Sequence, residues 1–229
     1  KVDLATGMPV VNDAAHPIVE KTVPTICPTA IGVKNWNPSA FSPRTGLLYA
    51  GVFNSCMDLT NHEVKYIPGA PYDGMEMVRH AGPGGNWGDF IAWDPVKGKR
   101  IWSIKENLYV WSGAVVTGSD LVFSGTMDGW FRAVDARSGK VLWSQKLGSG
   151  ITAAPMTFLG PDKRQYVAVY AGVGGGAGVL RRENGFMPGG NTLYVFSVDG
   201  MGIGSGRTQL VSHATAAAPI SVPPAAAHN

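Results

Sequence analysis

Two stretches of this chain match each other at a separation of 41 residues: Ala92-Trp93-Asp94-Pro95-Val96-Lys97-Gly98-Lys99-Arg100-Ile101-Trp102 and Ala133-Val134-Asp135-Ala136-Arg137-Ser138-Gly139-Lys140-Val141-Leu142-Trp143. Their shared pattern, A-x-D-x-x-x-G-K-x-x-W, describes a strand ending in an aspartate-led turn, a glycine where φ can be positive, and then a second strand. The tryptophan reads as a packing anchor between neighbouring sheets. The register continues, since Gly113-Ala114-Val115-Val116 stands 41 residues before Ala154-Pro155-Met156-Thr157 and both open apolar strands. A period near 40 with four short strands per unit is the signature of propeller blades, each burying its sheet faces against its neighbours. The expected fold is therefore all-β, a partial β-propeller.

Weaker copies frame the strong ones. Val2-Asp3-Leu4-Ala5-Thr6-Gly7 repeats the turn without its tryptophan, and Val195-Phe196-Ser197-Val198-Asp199-Gly200 repeats the approach to it. The excess length lies between Asn54 and Asn86 and in the glycine-rich stretch from Gly172 to Gly190, both expected to be loops at blade tips, where functional segments collect. Trp36-Asn37-Pro38-Ser39-Ala40 parallels Trp111-Ser112-Gly113-Ala114-Val115, and each run ends in a strand followed by glycine. Both read as the inner edges of successive blades, facing a central channel. The turns add up to about three blades and one strand of a fourth over residues 1–204, too few to close a ring. Residues 205–229, rich in Ala and Pro, carry no repeat and are expected to form a separate tail.

Glycine (31) and proline (16) are frequent and only 15% of residues are charged, which suits short strands joined by tight turns. The formal net charge of +3 is scattered, and its longest clusters (Lys97, Lys99 and Arg100; Arg181 and Arg182) sit beside glycines, so nucleic acid is not an expected partner. No run of eighteen apolar residues occurs, and the start at Lys1 lacks the apolar core of a signal peptide. The expectation is a mature or truncated soluble piece.

Cys27 and Cys56 enclose 28 residues, a loop that a disulfide would close with a stabilisation of about 3–4 kcal/mol. Two unpaired buried thiols are the alternative. Zinc is disfavoured, because His62 and His80 read as part of an irregular stretch and further ligands are wanting. Asp94 and Asp135 recur with the blade and read as scaffold. Asp89, Asp120 and Asp128 each have an adjoining turn or glycine that explains them without a catalytic role.

Pro28-Thr29-Ala30-Ile31-Gly32-Val33-Lys34-Asn35-Trp36-Asn37-Pro38, Gly84-Gly85-Asn86-Trp87-Gly88-Asp89-Phe90, and Trp111-Ser112-Gly113-Ala114 with Gly125-Thr126-Met127-Asp128-Gly129-Trp130 together resemble the quinoprotein alcohol dehydrogenases that use pyrroloquinoline quinone (PQQ), in particular the lanthanide-dependent methanol dehydrogenase type. The resemblance covers about residues 1–200. It implies the C-terminal part of an eight-bladed periplasmic propeller that oxidises methanol or another small primary alcohol to the aldehyde, with PQQ and a Ca²⁺ or lanthanide ion, and passes electrons to a cytochrome c.

On this chain the resemblance places Asn35 as a hydrogen-bond donor to the quinone, Trp111 as a channel-lining side chain beside it, and Cys27 and Cys56 as a disulfide pair. It places no catalytic base and no metal ligand here, because the Glu, Asn and Asp of the metal site belong to the N-terminal propeller half. The chain by itself is accordingly expected to be inactive. A homodimer is compatible with the family. The rival reading is a non-catalytic quinoprotein-like propeller acting as a protein-binding scaffold, for which a polar side chain at an inner-strand start would have no purpose.

Overall fold

In the computed structural model the described residues are 2–70, 72–173 and 189–197. They form a partial, unclosed β-propeller. Its first blade is the four-stranded sheet β2 (Ala40–Ser42), β3 (Leu47–Phe53), β6 (Gly88–Asp94) and β7 (Lys99–Glu106). The second is β8 (Ala114–Val116), β9 (Leu121–Gly125), β10 (Trp130–Asp135) and β11 (Val141–Lys146). The third shows three strands, β12 (Met156–Leu159), β13 (Gln165–Ala171) and β14 (Thr192–Ser197). All pairings within them are antiparallel. The Asp199 turn, most of the glycine-rich stretch and the Ala/Pro-rich tail lie outside the described residues.

The aspartate turn has one geometry in three places. Oδ1 of Asp3, Asp94 and Asp135 accepts the backbone N–H groups two and three residues on, at 2.8–3.2 Å. Gly7, Gly98 and Gly139 then turn the chain with φ of +70°, +61° and +72°, a region that side-chain-bearing residues enter only at a cost. These accepted bonds hold the Asp94 and Asp135 carboxyls below the usual carboxylate pKa, with a backbone N–H leading at Asp94 and Ser138 at Asp135.

Sheet faces packed against neighbouring blades make the central strands nearly continuous in burial, as in β3 and β9, while the outermost β7 and β11 expose every other residue. Between the first and second blades Tyr49, Phe90, Val110, Val122 and Val134 form one core, each large side chain adding roughly 1.5–3 kcal/mol by leaving water. Trp102 on β7 reaches across this joint: its Nε1 donates to the Ala136 carbonyl at 3.0 Å and its ring lies over Gly139. Trp143, its counterpart, packs on Phe131 and on Phe196 of the third blade. Close backbone approach seals the inner edges, since Gly51 faces Val110 and Gly125 faces Ile151, a residue 41 positions after Val110, with no room for a Cβ at either glycine.

The excess between Asn54 and Asn86 is not an irregular tip loop, as the sequence suggested. It is an outgrowth of the β3–β6 hairpin: after Asn54 the chain continues as β4 (Ser55–Asn61) and returns as β5 (Met75–Ala81), and β1 (Thr22–Ile26) adds a third strand. Asn54 is the joint, donating through Nδ2 to the carbonyl of Pro83 and to Asn86 O and Oδ1, with its own carbonyl accepting Gly82 N–H. His80 therefore lies on a strand, 3.5 Å from Asp58 on its neighbour, and His62 pairs with Glu20 at 3.0 Å just beyond β4. Asp89 has its adjoining glycine, Gly88, on a strand. It is buried within β6, accepting from Asn86 Nδ2 and Ser103 Oγ, and caps no turn.

Candidate functional site

Residues 27–37 carry the chain from the small β1–β4–β5 sheet to the inner edge of the first blade. Their path is fixed at both ends. Cys27 is bonded to Cys56 at the start of β4, Thr29 N–H donates to the Ser55 carbonyl at 3.1 Å, and the Val33 carbonyl accepts Phe53 N–H at 2.7 Å. At the far end Asn37, buried, donates through Nδ2 to the carbonyls of Gly51 (3.1 Å) and Val110 (3.2 Å). Ser112 does the corresponding work one blade on, accepting Gly125 N–H and donating to Ala153 O, 41 residues away.

Between these anchors Asn35 and Trp36 are exposed. The Asn35 carboxamide is tied locally, Nδ2 to the Ile31 carbonyl at 3.1 Å and Oδ1 to Trp36 N–H at 2.8 Å. A carboxamide offers two donors and two acceptor positions, so one N–H and one lone pair are left over. The Trp36 ring stands 5.8 Å from that of Trp111, at the equivalent inner edge of the second blade, so the residue that follows Asn35 in sequence packs against the other sequence-selected residue.

Trp111 is itself buried, packed on Phe53 at 4.5 Å. Its indole N–H is buried and has no acceptor among the described residues. An unmet buried donor costs about 1–3 kcal/mol, which a ligand oxygen would relieve. Beneath it Tyr109 packs on Phe53 and Trp87 and donates to Ser55 Oγ, linking the aromatic floor to the residue beside Cys56.

The charges nearby are structural. Lys34 turns its ammonium back into the loop, and the resulting loss of water lowers its pKa. Glu106 closes β7 in a buried pair with Arg132 of β10, yet burial outweighs the guanidinium and raises its pKa. Among the described residues no three His, Cys, Asp or Glu side chains converge as metal ligands.

The family model described as the β-propeller domain of PQQ glucose, ethanol and alcohol dehydrogenases matches residues 105–167. A lanthanide-dependent methanol dehydrogenase of Methylacidiphilum fumariolicum is 54% identical over 162 residues, covering 69% of this chain. The chain belongs to the PQQ-dependent methanol and alcohol dehydrogenase family. Other quinoprotein relatives include a quinoprotein ethanol dehydrogenase of Pseudomonas aeruginosa, 39% identical over 180 residues, 76% of this chain and 29% of that protein. In structure the chain is similar to a europium-containing methanol dehydrogenase (TM-score 0.81, 43% identity, 86% of this chain and 38% of that one) and to the quinohemoprotein alcohol dehydrogenase of Comamonas testosteroni (TM-score 0.74, 31% identity, 88% of this chain and 31% of that one). It spans 26% of the length of the Methylacidiphilum relative.

Among the described residues, a buried indole N–H without an acceptor, the neighbouring exposed indole of Trp36 and a carboxamide with one donor to spare are groups that could meet a planar ring edged with oxygens such as PQQ. Sequence reasoning chose Asn35 and Trp111 but passed over three residues of the same surface. Trp36 was read as an inner-strand start facing the channel but given no role, and Lys34 and Asn37 stood only as members of the motif. The pairing of Asn37 with Ser112 in the blade alignment was the available signal for the anchor.

Proposed function

We propose that the complete protein containing this chain oxidises methanol or another small primary alcohol to the aldehyde and passes the electrons to a cytochrome c. The observation that carries the proposal is the buried indole N–H of Trp111, which has no acceptor among the described residues, beside Trp36 and the half-used carboxamide of Asn35. The identity to lanthanide-dependent methanol dehydrogenase supports the substrate class, and the Cys27–Cys56 bond supports an oxidising compartment, the periplasm.

PQQ with a Ca²⁺ or lanthanide ion supplies the hydride-accepting carbonyl and the Lewis acid. The residues of this chain hold one side of that cofactor. When the cofactor is bound, Asn35 would donate its spare N–H to a quinone oxygen and help orient the ring, the indole N–H of Trp111 would find an acceptor, and Trp36 would shield that edge from water. The base, the metal ligands and the closing blades come from the N-terminal propeller half. A homodimer of the complete enzyme is part of this reading.

Asn35 decides it. In the complete enzyme Asn35→Ala lowers the rate of cofactor reduction by alcohol, followed by stopped-flow absorbance, by up to about 10² if the amide acts as a strong oxyanion donor. Asn35→Asp is worse than Ala, because a carboxylate replaces a donor facing an increasingly anionic ring. If Asn35 only tied its own loop, Asp would preserve the reduction rate and Ala would cost mainly thermal stability. An Asp variant with unchanged reduction rate refutes the role.

A further inference from the structure

The Asn35-Trp36 segment stands exposed between two anchored points, and a single side chain spans it. Lys34 Nζ donates to the Asn35 carbonyl at 2.8 Å, to the Asn37 carbonyl, and to Asn37 Oδ1 at 3.2 Å. Asn37 is independently fastened through Nδ2 to Gly51 and Val110. The ammonium thus ties an exposed polar loop to the blade wall on both sides of Trp36. Three acceptors around one cation fit the three diverging N–H bonds of an ammonium, whereas a guanidinium is planar and projects its donors in a fork.

We propose that Lys34 is a positioning residue for the cofactor surface: its ammonium clips the backbone of Asn35 to Asn37 and so holds the Asn35 carboxamide and the Trp36 ring beside Trp111. This rests on the reading of Asn35 and Trp111 as cofactor contacts. The clip acts through preorganisation. Without it the loop must be ordered when the cofactor binds, and that cost falls on affinity and on orientation rather than on the fold. The fold keeps its own fastenings, because the two Asn37 Nδ2 bonds and the Phe53 N–H to Val33 carbonyl bond do not involve Lys34.

The test compares Lys34→Met, Lys34→Arg and Asn35→Ala in the complete enzyme. The readouts are the PQQ dissociation constant of the apoenzyme, the absorption spectrum of the bound quinone, and the thermal midpoint. Lys34→Met weakens PQQ binding by about tenfold, as expected for loss of a preorganising contact. It also shifts the bound-quinone spectrum in the direction of Asn35→Ala while leaving the midpoint within about one degree of wild type, and Lys34→Arg recovers part of the affinity. Unchanged PQQ binding and spectrum in Lys34→Met, with Asn35→Ala impaired, overturns the clip alone. If Asn35→Ala binds PQQ as wild type does, the cofactor reading fails and the clip fails with it. A Lys34→Met enzyme whose midpoint collapses, with no recovery in Lys34→Arg, assigns Lys34 to general stability and also overturns the proposal.

Discussion

Gly98 and Gly139 occupy the same place in the same turn, four residues after a capping aspartate, with φ of +61° and +72°. They differ in what lies above them. A Cβ on Gly98 meets nothing within 4 Å, whereas one on Gly139 falls 2.7 Å from Trp102 Cδ2 and 2.8 Å from Cε3. Alanine at either site incurs the left-handed backbone cost of roughly 1–2 kcal/mol. At Gly139 it also drives the indole ring outward, because carbon contacts prefer about 3.5–4.0 Å. That ring cannot move freely: it donates to Ala136 O at 3.0 Å and packs against Tyr49 and Phe90 at 5.9 and 5.8 Å. Overpacking of this kind adds about 1–3 kcal/mol. Gly139→Ala should therefore lower the calorimetric unfolding midpoint of the complete protein clearly further than Gly98→Ala, by about twice as much at the middle of these ranges. In a Trp102→Leu background, where the ring is gone, the added cost of Gly139→Ala should shrink to the Gly98 value. Equal effects of the two alanines in the wild type, or a Gly139 penalty undiminished by Trp102→Leu, would refute the idea that the tryptophan locks one blade onto the next.

Two further outcomes are expected. Replacing Cys27 and Cys56 together by alanine should destabilise the protein by about 3–4 kcal/mol, the chain-entropy value for a loop of this length, and mass spectrometry of a non-reduced digest should recover the Cys27–Cys56 peptide pair. Two freely alkylated thiols in the native protein would contradict it. Glu106 has its pKa raised by burial, so its contribution to stability is fully present below the ordinary 4.5 and is lost as pH rises through its folded value. Glu106→Gln should remove that decline from the stability–pH curve, and a variant curve parallel to wild type over the same range would show that burial does not dominate this group.

The blade plan was legible because a repeat imposes the same contacts at the same offset. Ser112 Oγ reaches Ala153 O at a spacing of 41, and the tryptophan of each outer strand finds the next blade. What the repeat does not govern was harder to read. The β4–β5 hairpin has no second copy, and its departure from the blade depends on one asparagine, Asn54, whose bonds to Pro83 and Asn86 span about thirty residues that sequence spacing cannot bring together. Asp89 was set aside as explained by an adjoining turn or glycine. That glycine sits on a strand instead, pressed against Leu108 and Val110 with no space for a side chain.

The same logic explains why part of the site could be found at all. With Trp36 aligned on Trp111, Asn35 falls opposite Val110, and Val110 stands 41 residues before Ile151. In the second and third copies that position is apolar and almost wholly buried, 1% exposed at Val110 and 0% at Ile151, each filling the space over a glycine of the preceding sheet. In the first copy, which no blade among the described residues precedes, it is a carboxamide. Blade packing asks for a hydrophobic side chain there, so the scaffold has no use for asparagine. Asn37 and Ser112, by contrast, are polar in both copies and both spend their donors on backbone carbonyls. Polarity that recurs with the blade is architecture, and polarity that interrupts the repeat is where a ligand is to be sought. Lys34 escaped this filter because its partners are its own near neighbours, and only the folded loop turns a surface lysine into a clip.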